Sequence, residues 1–107
     1  MSKFVLLYTG GSGMPESEAE QAKVMKDWAD WYAGLGSAVA DPGNPIGPVS
    51  KKIASNGDVS NGSSEPMVTG YTVLSADSLD EAAKMAKKCP VLKGGSEISV
   101  FETFDVM

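Results

Sequence analysis

The 107-residue sequence predicts one α+β domain spanning residues 1–107, with two helices laid against a sheet. Three observations carry that prediction. Gly70 to Glu102 reads as a strand, a capped helix and a strand, each with its own start or stop signal. Glu16 to Leu35 holds a longer amphipathic pattern. Lys3 to Thr9 is an apolar run without polar alternation, as in a central strand covered on both faces.

In that first strand Phe4, Leu6 and Tyr8 point one way and Val5, Leu7 and Thr9 the other, before Gly10, Gly11 and Gly13 end it. Its apolar stretch of about five residues is short of the roughly 7–15 of a secretory signal, and no small-residue cleavage site follows. In the helix over 16–35, Pro15 sits at the first turn and Glu16, Glu18 and Glu20 crowd the end that the helix dipole makes positive. Val24, Met25, Trp28, Ala29, Trp31, Tyr32 and Leu35 form its apolar stripe, with Lys23, Lys26, Asp27 and Asp30 opposite. Gly34 and Gly36 supply the stop.

Ser37 to Ala40 reads as a short strand. The next eight residues, DPGNPIGP, contain three prolines and two glycines, so the backbone turns or runs extended. Val49 to Ser55 reads as a further strand ending in an Asn56-Gly57 hairpin signal, and Asp58 to Pro66 is polar and turn-rich. Residues 41–66 therefore form a β-excursion within the domain. Val68 to Ser75 is the third core strand, with Tyr71 and Val73 on one face and Thr72 and Leu74 on the other. Ser78-Leu79-Asp80-Glu81 is a capping box. Leu79, Ala82, Ala83, Met85, Ala86 and Cys89 make the second helix's apolar stripe, and Pro90 blocks its continuation. In the last strand Ile98, Val100, Glu102 and Phe104 alternate with Glu97, Ser99, Phe101 and Thr103.

That order, with right-handed crossovers, is a ferredoxin-like split βαβ sandwich with a β-excursion between its second and third core strands. Two helices cover one sheet face, yet the other face also carries apolar side chains. Face-to-face pairing into a homodimer, a dimeric α+β barrel, resolves this. A monomer whose excursion folds over that face is the alternative.

Composition narrows the function. The 42% hydrophobic and 21% charged content is that of a globular domain. Nine basic against 14 acidic residues give a net charge of −5, which makes a nucleic-acid backbone a poor partner. No apolar run approaches the about 18 residues of a membrane span. One cysteine permits no internal disulfide and suits a cytoplasmic location. With no histidine there is no Ser-His-Asp or Cys-His arrangement, and no clustered acidic motif predicts a metal; no cofactor is expected.

The residues left for chemistry are few. Asp41, at the end of a short strand before a Pro-Gly turn, is the candidate catalytic carboxylate; the competing reading is a turn residue bonded to its own backbone. Asn44 shares that ambiguity. Tyr8, Trp28, Trp31 and Tyr71 are candidate substrate-binding residues, with Trp31 expected at the stripe margin as a pocket wall. Cys89 reads as a small buried core residue. Gly10 to Gly13 lacks the later glycine and the Lys-Ser/Thr of a phosphate loop, and reads as a connection. Lys51 and Lys52 read as a solvated strand edge.

Several stretches resemble the YCII-related, or DGPF-containing, family of small bacterial proteins. They are Leu-Leu-Tyr at 6–8, the M-P-E-S-E helix start with Trp28 and Trp31, D-P-G-N-P-I at 41–46, G-Y-T-V-L at 70–74, S-L-D-E-A at 78–82, A-K-K-C-P at 86–90 and G-G-S-E-I at 94–98. The resemblance spans nearly the whole chain and is most specific in its C-terminal part. It implies a dimeric α+β barrel and, for most members, no established activity. The chain departs from the family at two places. Asn61-Gly62-Ser63-Ser64 stands where Asp-Gly-Pro-Phe would fall, and Met25 and Trp28 occupy the region where some members carry a histidine. No activity is therefore carried over through either feature. Two functions stand: binding or transformation of a small apolar or aromatic molecule in a cleft, and a non-catalytic accessory or protein-interaction module.

Overall fold

A computed structural model describes residues 2–11, 16–47, 49–62 and 68–104. Gly13 of the glycine connection, Pro15 of the helix start, and Ser63, Ser64 and Pro66 of the excursion lie outside the described residues. The elements run β1 (Ser2–Thr9), α1 (Glu18–Leu35), β2 (Val39–Asp41), β3 (Lys51–Ile53), β4 (Val59–Asn61), β5 (Val68–Ala76), α2 (Leu79–Ala86) and β6 (Glu97–Glu102). Four strands form an antiparallel sheet in the order β2-β5-β1-β6, the ferredoxin-like topology expected, while β3 and β4 make a separate two-stranded sheet. The Cα envelope is only 17 Å deep in its thinnest direction, which suits one sheet layer and one helix layer. Among the described residues no helix is long and apolar enough to cross a membrane.

The pleat of β1 sets the core. Phe4, Leu6 and Tyr8 are 0–4% exposed and face the helices, matched on β5 by Thr72, Leu74 and Ala76. Ala82 and Ala86 of α2, Cys89 and Trp31 close over them. Among the described residues the opposite sheet face has no covering layer. There Val5 lies between Val73 and Phe101, and Leu7 between Tyr71 and Ser99, so neighbouring strands shield each apolar side chain only in part. Phe101 is 54% exposed.

Local chemistry shifts several boundaries. Helix α1 begins at Glu18, because the Ser17 hydroxyl accepts the Glu20 amide and acts as the N-cap. Residues 36–38 tighten into a 3₁₀ turn, so β2 starts at Val39 and not at Ser37. The Asn56-Gly57 signal does close a hairpin: Asn56 Oδ1 accepts from the Asp58 amide at 2.9 Å, and Gly57 N donates to Ala54 O at 2.8 Å. Its return strand, Val59–Asn61, falls in the stretch read as polar turn, since a strand edged by solvent on both faces needs no apolar alternation. Ser78 caps α2 through the Glu81 amide, whereas the Glu81 carboxylate lies 3.6 Å from Lys84 and so turns along the helix. Cys89 is beyond α2, at the entry to the 3₁₀ turn Pro90–Gly94, and is buried there instead of on the helix stripe.

Leu74, fully buried between the layers, is the sheet's test position. Leu74→Ala is expected to cost about 2–5 kcal/mol in urea unfolding; a loss below about 1 kcal/mol would contradict the packing.

Candidate functional site

The edge of the covered face is shaped by the proline-rich loop that follows β2. Asp41 Oδ1 accepts the Gly43 amide at 2.8 Å, which folds the chain back in an Asx-type turn. Gly43 has φ +76, and a Cβ there would collide with the Tyr71 carbonyl, so only glycine lets the loop lie on β5. Pro45 then bridges to Gly70, and the Ile46 amide donates to Thr69 O at 3.0 Å. The loop is thereby sewn to the sheet edge.

Its inward carbonyl gathers three elements. Tyr32 of α1 donates its hydroxyl to Pro42 O at 3.1 Å, and Thr72 Oγ1 of β5 donates to the same oxygen at 3.1 Å. Thr72 in turn accepts the Tyr8 hydroxyl at 2.6 Å. Thr72 is fully buried, so its hydroxyl needs those partners. Trp28 meets Tyr8 edge-on, with ring centroids 5.7 Å apart, and leans on Tyr32 at the same separation.

Beside this network opens a cleft of about 450 Å3. Met25, Trp28 and Tyr32 of α1 form one wall, the loop from Pro42 to Pro45 the other, and Tyr8 with Gly70 the floor. Gly70 matters because a side chain there would press on the Tyr8 ring at 3.3 Å. No charged side chain lines the cleft among the described residues. Burial pushes the Tyr8 hydroxyl far above the ordinary tyrosine value, an effect opposed by its bond to Thr72, and burial also raises Tyr32. The Cys89 thiol is likewise raised by burial and stays a protonated thiol. The lining therefore offers shape, aromatic surface and hydrogen bonds, and no proton donor or acceptor tuned near neutrality.

The residues singled out from the sequence separate into two groups. Tyr8, Trp28, Asn44 and Tyr71 border the cleft. Register sets Tyr71 opposite Leu7, so its side chain leaves the strand on the uncovered face, with its ring edge beside Gly43 of the loop; strand alternation forbids Tyr8 and Tyr71 from sharing a face here. Asp41 is exposed and outside the cleft lining, its carboxylate engaged by the Gly43 amide. Trp31 is 8% exposed and sits at the centre of the stripe, its indole N–H donating to Met85 O at 3.1 Å, on the side of α1 that faces α2. Thr72, Pro42 and Tyr32 were missed as site residues. The one available signal was a threonine at a buried alternation position between Gly70 and Leu74.

Neither a protein-family profile nor a curated protein matches the sequence. The fold does have a solved likeness: 5-chloro-2-hydroxyhydroquinone dehydrochlorinase (TftG) from Burkholderia phenoliruptrix AC1100, in complex with 2,5-dihydroxybenzoquinone. The TM-score is 0.53 at 16% identity, over 95% of this chain and 93% of that one. At such identity the likeness establishes a shared fold alone.

Tyr8 and Cys89 titrate higher in the folded chain than in the unfolded one, so the folded chain keeps protons that the unfolded chain releases. Stability is expected to be full below about pH 8 and to fall as pH rises through and beyond the ordinary thiol and phenol values. Tyr8→Phe should make that decline shallower above about pH 10 in denaturation measured as a function of pH; an unchanged slope would count against the buried phenol.

Proposed function

We propose that this protein is a cytoplasmic, YCII-like single-domain homodimer of the bacterial type that binds a small apolar or aromatic molecule in the cleft beside Tyr8 and Trp28. The observation that carries the reading is an uncharged, aromatic-walled cleft of about 450 Å3, the size and character of a small-ligand site. The likeness to a fold that accommodates 2,5-dihydroxybenzoquinone in TftG supports a ligand of that size. Tyr8, Trp28, Tyr32 and Asn44 would make the contacts, and Asp41 would hold the loop that carries Asn44.

Binding without catalysis by the chain's own groups is the form of this reading that the site favours. Asp41 as acid or base would have to leave the Gly43 amide and enter the cleft. The homodimer is supported by the uncovered apolar rows of Val73, Val5 and Phe101 and of Tyr71 and Leu7. An accessory module remains the second reading, supported by the same face acting on another protein.

Thermal shift with p-cresol, 4-methylanisole and 2,5-dihydroxybenzoquinone tests the cleft. At ten times its Kd a binder adds about 1.4 kcal/mol of stability. The shift is expected to persist in Asp41→Asn, which keeps an oxygen for the Gly43 amide, and to vanish in Ala29→Trp, which fills the mouth from an exposed helix position. No shift with any arene, or a shift that survives Ala29→Trp, would defeat the reading. Sedimentation equilibrium tests the assembly: the parent chain is expected as a dimer and Val73→Glu as a monomer, whereas a monomeric parent would defeat the pairing.

A further inference from the structure

We infer that two copies of this chain pair their hairpins edge to edge, β4 against β4, into one four-stranded sheet. This rests on the homodimer reading above and adds a second contact to it.

The hairpin has no other support among the described residues. Neither β3 nor β4 joins the four-stranded sheet, and all six of their residues are exposed. That exposure means the hairpin does not close over the uncovered face of its own chain. Ile53 and Val59 face each other across the ladder, yet remain 69% and 64% exposed. A lone two-stranded ribbon is marginally stable in water, and further strands are what secure it.

Ladder alternation fixes which backbone groups face outward. Gly62 N donates to Ser50 O at 3.0 Å and Ala54 N to Asp58 O at 2.7 Å, so residues 58, 60 and 62 bond toward β3. Val59 and Asn61 therefore turn their N–H and C=O groups to the free edge of β4. By the same rule Lys51 and Ile53 turn theirs to the free edge of β3. The two edges have equal hydrogen-bonding capacity, and charge separates them. A twofold axis at Lys52 would set that ammonium directly against its own copy, a destabilising pair.

A twofold axis at Ser60 has no such conflict. It sets serine against serine, Val59 against the partner's Asn61, and Asp58 against the partner's Gly62. The two Val59–Asn61 pairs each exchange both of their N–H···O=C bonds across the new edge. Val59 and its copy become diagonal neighbours with Ile53 outside each, so the exposed apolar side chains join in one row. Strand addition by a foreign peptide is chosen through pockets beside the edge. With every hairpin strand residue exposed, nothing beside this edge reads a foreign sequence, and the self-match at Ser60 selects the twin. Three residues a side bury far less than the roughly 800 Å2 per partner of a stable interface, so the sheet faces must hold the copies together.

Disulfide trapping tests this, since the native Cys89 is buried and out of reach. Directly opposed residues of a non-hydrogen-bonded pair lie about 4.5 Å apart at Cα, within the span of a disulfide. Under oxidised glutathione, Ser60→Cys is expected to give a covalent dimer on a non-reducing gel. Its rate should exceed that of Ser55→Cys at least about tenfold. Ser55 is equally exposed but lies at the turn, and antiparallel pairing points the two turns away from each other. Adding Asn61→Pro to Ser60→Cys should remove the advantage, because it deletes an outward N–H and leaves the ladder to β3 intact. Equal rates for Ser60→Cys and Ser55→Cys, or trapping that survives Asn61→Pro, would overturn the inference. If Ser60→Cys is not trapped in a chain that sediments as a dimer, the inference falls and the homodimer stands. A monomeric, untrapped chain would end both.

Discussion

The carbonyl of Pro42 is where the covered side of this protein is held in register. Thr72 brings a hydroxyl to the fully buried face of a central strand, and Tyr8 brings another from the strand beside it. Neither can be left without a partner away from water, at a penalty of roughly 1–3 kcal/mol each. The loop after β2 answers with one inward oxygen, which the Tyr32 hydroxyl also reaches from α1. Strand, strand, helix and loop are thus tied through four oxygens. Because proline has no N–H to donate to a ladder, the loop meets β5 only at the Pro45 bridge to Gly70 and the Ile46 amide bond to Thr69 O, and the cleft opens beside it.

The two faces of the sheet then carry separate tasks. On one, the helices and the Tyr8 network leave a pocket without charged lining among the described residues, walled by rings of Tyr8, Trp28 and Tyr32 whose neighbouring centroids lie 5.7 Å apart. On the other, apolar rows across β5, β1 and β6 have no layer above them among the described residues. The two helices, of 18 and eight residues, both pack on the covered face, so neither supplies a layer for the other. Tyr71 and its neighbours stand at the seam: the strand borders the cleft while the side chain joins the uncovered face. A ligand in the cleft and a partner on the far face would therefore press on the same strand from opposite sides.

Much of this architecture could be read in one dimension. Periodicity and caps are local, so the apolar run at Lys3–Thr9, the stripe around Trp28 and Trp31, the Ser78 cap and the Asn56-Gly57 turn all announced their elements. Errors fell where local signals are weak: the polar strand Val59–Asn61, the 3₁₀ turn before β2, and Cys89, which leaves the helix one turn earlier than its spacing implied. The site was far less legible. Asp41 carried two readings, carboxylate chemistry and a backbone-bonded turn, and its bond to the Gly43 amide is the turn; Trp31 looked marginal and is the most buried residue of α1.

Side-chain alternation and capping are properties of neighbours along the chain, and they carried the order of elements and the choice of buried faces. Which polar groups meet depends on residues far apart in sequence, such as Tyr8 and Thr72 at 64 positions, and on a loop angle set by one glycine. Such pairings arise only when packing fixes the distance between elements. The pocket, its neutrality and its hydrogen-bond direction therefore belong to the folded chain and have no counterpart in the linear pattern.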